Sequence, residues 1–125
     1  MKFTQTLKKN RQFRNVYSRG KSCANSELVL YALANDTNEN RLGISVSKKV
    51  GKSVVRSRVT RLIRESYRLS EERVAAGNDL VFIARKSAKG APFAAVQRAM
   101  VNLLKKQGLL KRAEQKTLSA DKAPM

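Results

Sequence analysis

Residues 54–69, VVRSRVTRLIRESYRL, hold five arginines and one acid. At about 100° per residue, Val55, Val59, Leu62, Ile63 and Ser66 share one side of a helix. Ser57, Arg61, Arg64 and Arg68 fall on the opposite side, at i, i+4, i+7 and i+11. Arg56 and Arg58 flank the apolar stripe. Like charges at these spacings repel by about 0.2–0.5 kcal/mol per pair, so the row calls for a compensating ligand. A guanidinium is planar and donates two parallel hydrogen bonds, a geometry that suits phosphate. The plainer account is a solvated helix face, but solvated faces mix signs, and Glu65 is the only acid here. The segment therefore reads as a phosphate-binding surface, and Lys48, Lys49 and Lys52 extend it along the preceding loop.

A second chemistry lies in residues 27–33, ELVLYAL. Side chains alternate across a strand, so Val29, Tyr31 and Leu33 form one row and Leu28, Leu30 and Ala32 the other. A tyrosine ring can stack on a base, which is worth about 1–3 kcal/mol per base. Phe13, on a predicted first helix, can join that surface. Periodicity alone slightly favours reading Phe13 and Tyr31 as ordinary core residues.

Self-sufficient nuclease chemistry is missing. A histidine acid–base pair or clustered metal-binding carboxylates would be needed. The chain has no histidine, and its nine acids are scattered apart from the pair Glu71-Glu72 at a predicted helix end. Gly51-Lys52-Ser53 matches the end of a phosphate-binding loop, but Val46 stands where the earlier glycine is required. No catalytic residue is assigned. Cys23 is the single cysteine, so there is no internal disulfide, and without histidine a zinc site is disfavoured. Cys23 reads as a small buried or half-buried side chain.

These residues must be placed by one small domain, taken as residues 1–125. With 27 Lys and Arg against nine Asp and Glu, the net charge is +18. Self-repulsion on that scale opposes folding unless a polyanion neutralises it, and nucleic acid is the obvious one. The longest apolar run, 28–34, has seven residues, against the roughly 20 that span a bilayer. Residues 1–10 lack the apolar core of a signal peptide, so the expected compartment is the cytoplasm.

Along the chain, residues 1–9 read as a basic extended arm. Asn10 caps a short helix that Gly20 ends. Strands follow at 21–25, 27–33 and 41–47, with Leu42, Ile44 and Val46 on one face. The polar turn 35–40 joins the last two strands as a hairpin. Ser53 caps the arginine helix, and Gly77-Asn78-Asp79 turn the chain into a buried strand, 80–84. Residues 85–90 form a polar, basic loop. Pro92 and Gly108 bound a last helix with Phe93, Val96, Met100, Leu103 and Leu104 inward. The ordered core is expected over about 7–112, with 113–125 a flexible tail. The order α-β-β-β-α-β-α gives an α+β sandwich: a small mixed sheet with helices covering one side and the other partly open.

Several blocks occur in an order that resembles the bacterial ribonuclease P protein family. They are Leu7-Lys8-Lys9-Asn10 with Phe13, Val16-Tyr17 with Gly20-Lys21-Ser22, and Leu30-Tyr31. The long block RLGISVSKKVGKSVVRSRVTRLIRE, residues 41–65, follows, then Asp79-Leu80-Val81 and Ile83-Ala84-Arg85. The set spans nearly all of 7–107, and the long block is the specific one. The resemblance implies a protein subunit that binds the ribonuclease P RNA and precursor tRNA. The RNA, holding most of the Mg2+, hydrolyses the bond that frees the tRNA 5′ end, and no organic cofactor is needed. It implies a cleft for the single-stranded 5′ leader, lined by Phe13, Val29 and Tyr31. It also implies contacts to the RNA core and substrate through Arg56, Arg58, Arg61 and Arg64, to which the helix-face reading adds Ser57 and Arg68 as RNA-binding residues. No membrane, DNA or obligate protein partner is implied. The family carries Arg-Asn-Arg where this chain has Arg56-Ser57-Arg58, so whether a metal role of that asparagine is kept at Ser57 stays open. Three rivals stand beside this reading. A structural RNA-binding protein would not distinguish leader-bearing precursors from mature tRNA. A DNA-binding helix protein would show a short helix-turn-helix spacing, which is not seen. An independent metal nuclease would need ligands that the sequence lacks.

Overall fold

Alternation in the strands divides the apolar residues between two faces of one sheet. The computed structural model describes residues 3–111. Its elements are β1 (Thr4–Thr6), α1 (Asn10–Arg19), β2 (Lys21–Ala24), β3 (Leu28–Ala34), β4 (Asn40–Ser45), α2 (Ser53–Ser70), β5 (Asn78–Ala84) and α3 (Phe93–Lys106). Short 3-10 turns lie at Glu71–Arg73 and Lys86–Ala88. The predicted tail, 113–125, lies outside the described residues.

The sheet order is β1-β4-β5-β3-β2. β4 is parallel to β1 and β5, whereas β3 is antiparallel to β5 and β2. The expected β3–β4 hairpin is therefore absent, because β5 lies between the two strands. The physical reason is the composition of β5. Val81 and Phe82 point to opposite faces and both are fully buried, so this strand needs cover on both sides and takes the centre. α2 carries the chain from β4 to β5 as the crossover that parallel neighbours require.

The first face is covered along β3 and β5. Leu28, Leu30 and Ala32 of β3 and Leu80, Phe82 and Ala84 of β5 meet Val59, Ile63 and Tyr67 of α2. Val96, Met100, Leu103 and Leu104 of α3 complete this core. Tyr67 extends the α2 stripe one step beyond the residues predicted. Its hydroxyl lies 3.0 Å from Thr4 Oγ1, which lets a polar atom be buried without loss of a partner. Burial raises the Tyr67 pKa above its ordinary value.

Helices do not lie on one side alone, as expected from sequence. α1 packs on the second face, where Leu7, Val16 and Val81 form a small core of their own. The extended arm also contains a strand: β1 pairs with β4 in the register Thr4↔Asn40, and the Leu7 amide donates to the Leu42 carbonyl at 2.9 Å. Three polar residues, TQT, give no alternating signal from which that strand could be read.

The predicted caps shift by one residue. Lys9 and Lys52 occupy the N-cap positions, so Asn10 and Ser53 are the first helical residues. Gln12 Oε1 instead accepts the amides of Lys8 and Lys9 at 3.0 and 3.1 Å. No side chain caps α2. Gly20 does end α1, but with φ −81°, not in the left-handed region. A Cβ there would lie 2.6 Å from the Val16 carbonyl oxygen and 2.9 Å from that of Ala32, so close packing on β3 is what demands glycine. Of the predicted turn 77–79, only Gly77 turns, at φ +90°; Asn78 and Asp79 open β5.

Candidate nucleic-acid interface

α2 presents Ser57, Arg61, Arg64 and Arg68 exposed along its outer side, as its periodicity predicts. The four are not equivalent. Glu65 Oε1 accepts from Arg68, with Nε at 3.0 Å and Nη2 closer. This pairing holds the Glu65 carboxyl below its ordinary range and raises Arg68. Glu65 thus turns to Arg68 and not to the Arg58 flank. Among the described residues, neither Arg61 nor Arg64 has a carboxylate at ion-pair distance. Arg58 donates from Nη2 to the Ala91 carbonyl at 3.2 Å, which ties α2 to the start of α3. Arg56 is half-buried, and its Nε is buried without a hydrogen-bond partner.

Lys48, Lys49 and Lys52 are exposed on the loop before α2. Lys49 and Ser47 face Arg85, Lys86 and Ser87 across a hollow of about 600 Å³. The hollow lies where β4 and β5 end side by side, and outside the carboxyl ends of parallel strands is where such sheets commonly take ligands. Arg85 and Lys86 were not among the predicted site residues. Their loop was legible as basic, but its position depends on the parallel pairing of β4 with β5, which the expected hairpin obscured.

On the second face, α1 leaves part of the sheet uncovered. Phe13 seats its ring over Gly43 of β4: a Cβ at Gly43 would lie 2.5 Å from Phe13 Cε1. Tyr17, one turn further along α1, is exposed and meets Tyr31 edge-on with centroids 5.1 Å apart. It also lies 6.4 Å from Phe13. Tyr17 thus links the two predicted aromatics into one cluster. Its i+4 spacing from Phe13 was the signal for it, although that spacing alone reads as a buried helix face. Val29 is half-buried on the same face, paired with Ile83. Along this face Arg41 donates to both carboxylate oxygens of Asp79 at 2.7 and 2.6 Å, and Asn35 adds a bond at 2.9 Å. The hydrogen bonds with Asp79 raise the Arg41 pKa.

Among the described residues, no three His, Cys, Asp or Glu side chains converge to hold a metal. Ser57 sits between two arginines with one hydroxyl to offer, a donor set that does not fit a divalent cation. No helix among the described residues is long and apolar enough to cross a membrane.

The family profile for ribonuclease P matches residues 1–108. The chain is 57% identical over 104 residues to the ribonuclease P protein component of Clostridium botulinum strain Langeland, covering 82% of this chain and 94% of that protein. It is 50% identical over 113 residues to that of Alkaliphilus oremlandii, covering 90% and 99%. The fold is similar to the Staphylococcus aureus RNase P protein, with a TM-score of 0.78 at 36% identity over 85% of this chain and 97% of that one. The Thermotoga maritima RNase P protein gives 0.75 at 32% identity over 82% and 96%. With its profile match, its relatives and its fold in agreement, the chain belongs to the bacterial ribonuclease P protein family.

Proposed function

We propose that this chain is the protein subunit of a ribonuclease P holoenzyme that binds both the RNA subunit and the 5′ leader of precursor tRNA. It thereby assists the Mg2+-dependent hydrolysis that releases the mature tRNA 5′ end. One observation carries this reading: a single small domain keeps two surfaces of different chemistry. Exposed arginines on α2 suit phosphate, and an aromatic cleft between α1 and the sheet suits unstacked bases. A single-stranded leader offers bases free to stack on Tyr17 and Tyr31 and to lie across Val29, and stacking tolerates many sequences.

Arg56, Arg58, Arg61 and Arg64, with Lys48, Lys49 and Lys52, would take phosphates of the RNA subunit and of the substrate near the cleavage site. Arg68 contributes less, because Glu65 already offsets its charge. Bringing two RNAs together costs electrostatic repulsion, which a subunit of charge +18 screens. The holoenzyme should therefore work at lower Mg2+ than the RNA alone. Binding should also weaken with salt, with a slope of about −0.7 to −0.9 per phosphate neutralised. With no histidine in the chain and no converging carboxylates among the described residues, bond breaking and the Mg2+ are assigned to the RNA. This reading places the protein in the cytoplasm with its precursor substrates.

The test is cleavage of a precursor tRNA at low Mg2+ by the protein alone, by a bacterial ribonuclease P RNA alone, and by the two together. Activity in the mixture only is the expected result. Activity of the purified protein alone would overturn the assignment of catalysis to the RNA. No activity in any tube, alongside a working control holoenzyme, would favour a structural RNA-binding protein.

A further inference from the structure

We propose that the outer face of α3 is a second docking surface for RNA, and that the strand it takes belongs to the RNA subunit. The inference rests on the reading above and extends it to a surface that reading leaves unused. α3 buries Val96, Ala99, Met100, Leu103 and Leu104. Opposite them, Arg98, Asn102 and Lys105 are exposed at i, i+4 and i+7. With Gln97, Val101 and Arg73 they line a groove of about 520 Å³ that contains no carboxylate.

The charge of this groove goes beyond what the helix needs. Lysines in a last turn offset the partial negative charge of a helix C-terminus, which accounts for Lys105 and Lys106. Arg98 stands in the middle of α3, where the dipole gives no reason for it. From Leu80 to Lys111 the chain has no aspartate or glutamate at all, so no local carboxylate balances the groove from α3 itself. Asn102 is oriented as a donor: its Oδ1 accepts from Asn25 Nδ2 at 3.2 Å, which leaves its own amide hydrogens for a ligand. Guanidinium, ammonium and amide donors along a groove, without base-stacking rings, match a phosphate backbone.

Position selects the RNA subunit over the substrate. α3 packs on the first face of the sheet, and the Phe13–Tyr17–Tyr31 cleft opens on the second. A leader lying in that cleft is separated from the α3 groove by the sheet and by α3 itself. Arg73 lies three residues beyond the end of α2, so the α3 groove begins where the arginine helix stops.

The test compares the full-length wild type with the double variant Arg98→Glu, Lys105→Glu. Affinity for a bacterial ribonuclease P RNA is measured across a salt series, and affinity of the assembled holoenzyme for precursor tRNA is measured separately. The expected result is at least a tenfold loss of RNA-subunit affinity, with the salt slope shallower by about 1.4–1.8. The exchange Arg98→Lys, Lys105→Arg should retain affinity, which a role confined to folding or to one side-chain shape would not predict. If the glutamate variant melts well below wild type, Arg98→Gln, Lys105→Gln takes its place, with a smaller loss expected. Wild-type binding with an unaffected variant overturns this inference alone. A loss confined to precursor tRNA overturns the choice of occupant. A wild type without affinity for the RNA subunit overturns the proposed function and this inference with it.

Discussion

The two faces of the sheet are made from the same three central strands, yet one is sealed and the other is left partly open. On the first face Leu28, Leu30, Leu80 and Phe82 have no exposed surface under α2 and α3. On the second, one residue out of step along the same strands, Val29, Tyr31, Leu33 and Ile83 are only half-buried beneath a ten-residue α1. Apolar surface left open costs stability in water, at about 25 cal/mol per Å². The first face holds the fold together, and the second leaves apolar and aromatic surface open beside exposed cations, the surface proposed above for the leader.

Substitutions on each face sharpen this contrast, and the largest effect belongs to the sealed one. Phe82→Ala removes a fully buried ring at the centre of the sheet. It should cost about 3–5 kcal/mol in urea unfolding. A cost below about 1 kcal/mol would mean that the first face is not the stabilising core. Gly43→Ala acts on the open face. Its Cβ would collide with the Phe13 ring, and overpacking of this kind costs about 1–3 kcal/mol. Melting temperature and leader affinity should fall together, because the displaced ring belongs to the cleft wall.

Smaller effects separate the arginines. Arg61→Ala and Arg64→Ala should each flatten the salt dependence of RNA binding by about 0.7–0.9 while changing stability by no more than about 0.5 kcal/mol. Arg68→Ala should flatten it less, because Glu65 already pairs with Arg68. Equal slopes for all three variants would show that the internal ion pair opens on binding. The smallest change concerns Ser66, whose hydroxyl is buried in the first core without a hydrogen-bond partner. Ser66→Ala should be neutral or stabilising by up to about 1 kcal/mol in thermal melts, since a buried unsatisfied hydroxyl is a liability. A clear loss of stability would reveal a bond to that hydroxyl.

How much of this could be read from sequence follows from which signals are local. The α2 face was legible because 3.6-residue periodicity lies within one segment, and Arg61, Arg64 and Arg68 are exposed where it placed them. The α+β class and the two rows of β3 were legible for the same reason. The position of β5 was not, because strand order depends on which strand needs cover on both faces, a comparison across the whole chain. Reading 35–40 as a hairpin turn followed the usual adjacency of consecutive strands, which holds in only about two-thirds of cases. With β5 misplaced, the hollow between Lys49 and Arg85 could not be foreseen. Tyr17 was visible by spacing, but whether a ring on an amphipathic helix is buried or offered to a ligand depends on how far the helix covers the sheet. The resemblance to the family singled out Phe13 and Tyr31 as contacts, a choice that periodicity had left open.

In the proposed function the open face binds the 5′ leader, while the arginine face serves the RNA subunit and the substrate near the cleavage site. The most direct test measures holoenzyme affinity for precursor tRNA with a leader and for the same tRNA without one, using wild type and Tyr17→Ala, Tyr31→Ala. Wild type should gain affinity from the leader. The double variant should lose most of that gain, on the scale of about 1–3 kcal/mol for each stacked base, while keeping wild-type affinity for the RNA subunit. A leader-dependent gain that survives both substitutions would show that the leader binds elsewhere.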